Sequence, residues 1–217
     1  MRALDSAHEV PAAENLRAVQ VDLSSAAAID ASVGEMGQAS IDILVNNAGV
    51  FEGGLLEQQS VEKIYDLLQS TLTGPIHLTR RLLPGMLERG RGKIVNNASV
   101  IGHAPFPGAA VYAAAKTGLH GFTESLRREL ADTGLTVLEL VTPGVDTDMM
   151  QQVQEQLSPY TKTDNWDHNA PEDWAGKVVE AIRDDDDELK PGGAERLAQL
   201  LPKPLLDLTA GRGFSRT

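Results

Sequence analysis

Tyr112 and Lys116 stand four residues apart in a stretch, Ala110–Asp132, whose spacing predicts a helix, so both side chains fall on one face, a turn apart. An ammonium beside a phenol favours the phenolate and lowers the tyrosine pKa toward the working range. Such a tyrosine can exchange a proton with a substrate hydroxyl or carbonyl. Ser99 lies thirteen residues before Tyr112, at the end of a strand-like run. Its hydroxyl can hold the substrate oxygen beside the phenol. A lone Y-x-x-x-K pair recurs by chance, and a strand-end serine at this offset makes the set much more specific.

These residues need a frame. Arg17–Leu23 reads as a short strand ending in Asp22 and Leu23, and Ser24 or Ser25 can cap a helix that runs to about Met36. Ile41–Val45 is a compact apolar run closed by Asn46-Asn47-Ala48-Gly49, a buried strand entering a loop. Val61–Leu87 has helical periodicity, interrupted and bent at Gly74-Pro75. Lys93–Val95 leads into Asn96-Asn97-Ala98-Ser99, a second strand and loop. Leu135–Val141 predicts a further strand, stopped by Thr142-Pro143-Gly144. Met149–Ala170 is polar and Gln-rich, a helical lid or loop over the cleft. Pro171–Arg183 reads as a capped helix, and Leu189–Lys190 as a last short strand. Strands that alternate with helices of this length predict an α/β, three-layer fold with a mostly parallel sheet. Residues 1–217 read as one domain, with a weakly patterned leader at 1–16 and an amphipathic tail at 193–217.

Composition excludes several other functions. The 217 residues carry a net charge of −12, which argues against a nucleic-acid partner and against an anionic membrane surface. There is no cysteine, so disulfides, thiolate metal sites and cysteine nucleophiles are absent. No secretory signal and no long apolar run occurs, which predicts a cytoplasmic protein.

Five landmarks stand in order: Val21-Asp22-Leu23, Asn46-Asn47-Ala48-Gly49, Asn97-Ala98-Ser99, Tyr112-Ala113-Ala114-Ala115-Lys116 and Val145-Asp146-Thr147. In this ordered set the chain resembles the short-chain dehydrogenases/reductases, from about Arg17 to Arg212. The resemblance implies a Rossmann-like fold and hydride transfer between NAD or NADP and a carbonyl or secondary alcohol. It implies that Ser99 orients the substrate oxygen and that Tyr112 is the general acid/base. Lys116 would lower the Tyr112 pKa and hold the nicotinamide ribose. Asp22 would accept from the adenine amino group with Leu23 beside it. Asn47, Ala48 and Gly49 would line the adenosine ribose, and Val145 and Thr147 would sit near the carboxamide. A homodimer or homotetramer through the two long helices is implied too. His120–Arg127 and Glu139–Thr147 are similar to a bacterial subgroup named for an oxidoreductase associated with D-alanylation of teichoic acids. Its Pro-Pro-x-Val-Asp-Thr turn differs here, where the proline-glycine pair is displaced by one residue relative to Val145.

Two departures from the family pattern are larger. The family opens with a strand, a T-G-x-x-x-G-x-G turn that brings backbone N–H groups to the cofactor pyrophosphate, and a helix. No such pattern occurs in these 217 residues, and sixteen residues before Arg17 leave no room for the first two strands. The resemblance therefore implies a chain without its opening βαβ unit, in which Arg17–Leu23 pairs directly with Ile41–Val45 to close the gap. The other reading is a non-catalytic remnant acting as an interaction or scaffold protein. At Thr71 the family often has an asparagine that holds a water in the proton relay; a threonine offers one hydroxyl in its place.

The remaining candidates have plainer readings. His103 reads as a solvated loop histidine within reach of substrate, and His77 and His120 as structural. No His/Asp/Glu spacing predicts a metal site. Trp166 and Trp174 pack the lid, Asp184–Asp187 is a solvated turn, and the leucines of the tail are packing or a subunit contact.

Overall fold

The structure, a computed structural model, describes residues 18–37, 39–161, 168–192 and 214–216. The leader, Trp166 and the tail leucines lie outside the described residues. Helix α1 spans Ala26–Met36, and Ser25 caps it by accepting a hydrogen bond from the Ala28 backbone N–H. Strand β1 follows at Ile43–Asn46, then α2 at Val61–Leu68, capped by Ser60, and α3 at Gly74–Arg89. Next come β2 at Gly92–Asn97, the short α4 at Val100–His103, α5 at Ala110–Glu129 and β3 at Leu135–Leu140. Helix α6 spans Asp148–Leu157, α7 Pro171–Arg183 and β4 Glu188–Leu189.

The four strands form one parallel sheet in the order β1-β2-β3-β4. Leu44, Ile94 and Val137 are aligned across it. With Met86 from α3 and Leu126 from α5 they form the core on one face. On the other face Val95, Leu138 and Leu140 pack against Ala181, Val178 and Ile182 of α7. The α/β fold with a parallel sheet, expected from the alternation of elements, is the fold observed.

Helices α2 and α3 form one continuous rod with a π-helical turn at Gln69–Thr73 between them. Pro75 has no N–H to give the carbonyl of Thr71, and the Gly74 N–H reaches back five residues to the Gln69 carbonyl. The interruption expected at Gly74-Pro75 is thus a widened turn, and it buries Thr71.

The strand expected at Arg17–Leu23 does not form among the described residues 18–23, and β1 pairs there only with β2. Asp22 accepts hydrogen bonds from the Ser24 N–H and hydroxyl, and this turn starts α1 at once. Leu23 is buried at the start of α3, where a Cβ on Gly74 would stand 2.6 Å from the Leu23 carbonyl oxygen. Helix contacts, not a ladder, therefore hold this segment. The consequence shows on β1, where Ile43 and Val45 are exposed while Val95 and Leu138, in register with Val45, are covered by α7.

Candidate active site

The carboxyl ends of β1, β2 and β3 converge on one crevice edge, the usual ligand position in an open parallel sheet. The Asn97 side chain donates to Asn47 Oδ1 at 2.7 Å and accepts from the Thr142 hydroxyl, so one amide links the ends of all three strands. The Asn97 carbonyl accepts from Lys116 Nζ at 2.6 Å. Helix α5 thereby presents its ammonium to the end of β2. The same amine lies over the Tyr112 ring, 5.6 Å from its centroid. Thr71 completes the back wall. Its hydroxyl accepts from the Val50 N–H at 3.3 Å, and a Cβ on Gly49 would meet Thr71 Oγ1 at 3.5 Å and Lys116 Nζ at 3.9 Å.

Ser99 follows β2 and caps α4, its hydroxyl accepting from the Ile101 N–H and donating to the Thr142 carbonyl, both at 3.4 Å. These are long bonds that a better acceptor can displace. Helix α4 is clamped to α5 by the Thr117 hydroxyl, which donates to the Gly102 carbonyl at 3.0 Å. A Cβ on Gly102 would stand 3.0 Å from the Lys116 carbonyl oxygen, a backbone atom that cannot step aside. Gly102→Ala should therefore lift α4 off α5 and cost about 1–3 kcal/mol. A melting curve checks this, and an unchanged midpoint would contradict the packing.

Tyr112 is partly buried, with Phe51 edge-on at 5.2 Å between ring centroids. Burial pushes its phenol well above the ordinary range, and burial brings Lys116 down to about 8. The sequence leads one to expect Lys116 to draw the Tyr112 pKa downward; burial of the phenol acts in the opposite direction. A linkage follows. Lys116 titrates at about 8 in the fold and at 10.5 ordinarily, so between these values the unfolded chain holds the extra proton and stability rises with pH. Tyr112 acts in the opposite sense only above its ordinary 10.0. Urea titrations from pH 8 to 10 should show a gain on the order of 2 kcal/mol that Lys116→Met removes.

Other expected site residues spread outward. Asn47 and Ala48 are exposed at the end of β1 and Gly49 is half-buried. Asp22 and Leu23 stand just before α1, with Leu23 against Gly74 of α3. Val145 makes a parallel bridge with Asn169, and Thr147 precedes α6 with its hydroxyl on the Val145 carbonyl at 3.3 Å. The Gln-rich segment expected to be a lid is in part α6, whose Val153 and Leu157 pack with Phe51, Ala109 and Tyr112. Trp174 is buried in α7. Asn97 and Thr142 are the members that spacing missed; Asn97 stands inside a quoted landmark, but its role as a three-strand link depends on the sheet.

Residues 2–158 match the short chain dehydrogenase family. The chain belongs to that family. A 3-oxoacyl-acyl-carrier-protein reductase of Haemophilus influenzae is 41% identical over 117 residues, 54% of this chain and 48% of that protein. A ketoacyl reductase of Nostoc is 36% identical over 143 residues, 66% of this chain and 48% of that protein. The family member thus spans about half the length of the curated relatives it matches. Among solved structures, a short-chain dehydrogenase from Streptomyces avermitilis superposes with a TM-score of 0.72 at 25% identity, covering 90% of this chain and 76% of that one. Serine dehydrogenase from Escherichia coli gives 0.67 at 29% identity, covering 82% and 76%. No helix among the described residues of this family member is long and apolar enough to cross a membrane.

Proposed function

We propose that this chain is an oxidoreductase that interconverts a carbonyl and a secondary alcohol, with 3-oxoacyl thioesters as the first substrates to try. The observation that carries this reading is the buried Lys116 ammonium, held by the Asn97 carbonyl and lying over the Tyr112 ring at the end of β2. Lys116 has three N–H donors and spends one on Asn97, leaving capacity for ribose hydroxyls. Together with Gly49, Thr142 and Val145 it fits the nicotinamide-ribose half of NAD or NADP. That group would supply the hydride.

The chain's own residues handle the proton and the oxygen. Ser99 turns from the Thr142 carbonyl and donates to the substrate carbonyl oxygen. Tyr112, kept protonated by burial, is ready to give its proton to that oxygen as it becomes a hydroxyl. Lys116 faces the phenolate ring that remains and offsets its charge. Thr71, which already accepts from Val50, stands beside Lys116 as a station through which that proton is replaced. The likeness of His120–Arg127 and Glu139–Thr147 to the teichoic-acid-D-alanylation subgroup adds small carbonyl compounds to the substrate panel. A cytoplasmic homodimer or tetramer through α2–α3 and α5 is part of the reading, supported by Val61 and Tyr65, exposed a turn apart on α2.

Calorimetric titration with NADH and NADPH tests the reading directly. Saturable micromolar binding of either nucleotide is the expected result. Absence of binding would favour the interaction or scaffold role, since the sequence contains no T-G-x-x-x-G-x-G turn to hold a pyrophosphate.

A further inference from the structure

Three groups that stand far apart along the chain meet on the α5 side of the sheet. Glu139 on β3 is almost wholly buried, and His103 at the end of α4 and His120 on α5 both point at its carboxylate. His103 Nε2 lies 3.2 Å from Glu139 Oε1, and His120 Nδ1 lies 2.9 Å from Oε1 and 3.0 Å from Oε2. The two rings are 4.3 Å apart between centroids. None of the three belongs to the crevice that holds Lys116 and Tyr112.

We propose that His103, His120 and Glu139 form a binding site for one zinc ion or a similar borderline divalent cation. One nitrogen from each imidazole and one carboxylate oxygen all lie within 4.8 Å of one another. Two ligands of a tetrahedral zinc, each at about 2.0–2.1 Å, stand about 3.3 Å apart. The separations of 2.9 and 3.2 Å from the carboxylate oxygen are close to that spacing, and side-chain rotations that bring the two imidazole nitrogens to it admit the ion. Two imidazoles with one carboxylate is a donor set that suits zinc, and magnesium or calcium would demand more oxygen. In the metal-free state the two nitrogens at Oε1 must each carry a hydrogen to bond it. To take the cation each neutral imidazole moves its hydrogen to the other ring nitrogen, and acid, which puts a hydrogen on both nitrogens, weakens binding. His103 and His120 are partly exposed, which gives the ion an entry path and leaves its fourth position to water. Burial works against the charge of Glu139, yet the hydrogen bonds and charge of the two histidines prevail and hold its carboxyl below the usual range. The anion is therefore present at neutral pH. In register beside Glu139, Glu188 of β4 adds a second acidic residue to the neighbourhood.

A bound ion would tie α4, which Ser99 caps, to α5 and β3, and so would stiffen the frame of the active site without touching it. The test uses untagged, chelator-treated full-length protein and zinc chloride. Isothermal titration should give one saturable site per chain with micromolar or tighter affinity, and zinc should raise the melting temperature where magnesium does not. His103→Gln and His120→Gln should each weaken zinc binding by at least about tenfold, the lower bound for loss of even an indirect partner. Both variants should remain folded without metal, as their side chains are partly exposed. Glu139→Gln removes the buried anion and should abolish binding; where it fails to fold, the two histidine variants decide. No saturable zinc binding by the wild-type chain, or binding undiminished in the double His103→Gln, His120→Gln variant, would overturn the site.

Discussion

Tyr112→Phe should lower turnover on the order of 10³-fold, while the chain stays folded and binds nucleotide as before. The phenylalanine keeps the ring against Phe51 and Lys116 and removes only the hydroxyl. General acid catalysis by a positioned side chain is worth roughly 10²–10⁴-fold. Here the hydroxyl is the proposed proton donor and the ammonium lies over its ring, so the middle of that range applies. The measurement is NADH or NADPH consumption at pH near 7 with a 3-oxoacyl thioester and a panel of small ketones. The loss should fall on the maximal rate and spare the affinity for nucleotide, because the ring still fills its place. A variant that retains wild-type turnover would remove Tyr112 from the chemistry.

The largest effect on stability is expected from Ile94→Ala. Ile94 is fully buried in β2, a strand paired on both sides, with Leu44 and Val137 as its register partners. Met86, Leu126 and Leu135 close the same cluster. Shortening it leaves a cavity between the sheet and the α3–α5 layer, which costs about 2–5 kcal/mol. Domains are stable by roughly 5–15 kcal/mol in all, so this loss takes a large share. Equilibrium urea unfolding should show a lower midpoint with an unchanged slope. Val45→Ala one strand away is the control: the side chain is 46% exposed, and the same measurement should move by less than about 0.5 kcal/mol.

The contrast between Ile94 and Val45 also separates what was legible in the residues from what was not. Both sit in apolar runs that read equally as buried strand. Which face of which strand receives a covering helix is a property of the layers, and α7 covers β2 through β4 but not β1. The Arg17–Leu23 strand failed for a related reason. An extended run with β-branched residues predicts a strand, but a strand needs a ladder partner, and here Asp22 accepts from Ser24 in the turn before α1 while Leu23 found its burial against Gly74.

The chain by itself determined the pieces whose partners are near in sequence. Helical spacing put Tyr112 and Lys116 on one face. Serine placement set the starts of α1 and α2, and Pro75 enforced the widened turn at Thr71. Strands alternating with long helices dictated a parallel sheet with crossover connections. Tertiary structure decided everything that depends on distant segments meeting. It laid the Lys116 ammonium on the Asn97 carbonyl and over the phenol rather than against its oxygen. It made Asn97 the link between three strand ends. It gathered His103, His120 and Glu139, dismissed by spacing as a metal site, around one buried carboxylate. Local pattern reports which side chains share a face; only the packing of layers reports what each face meets, and burial then sets the protonation of the groups enclosed.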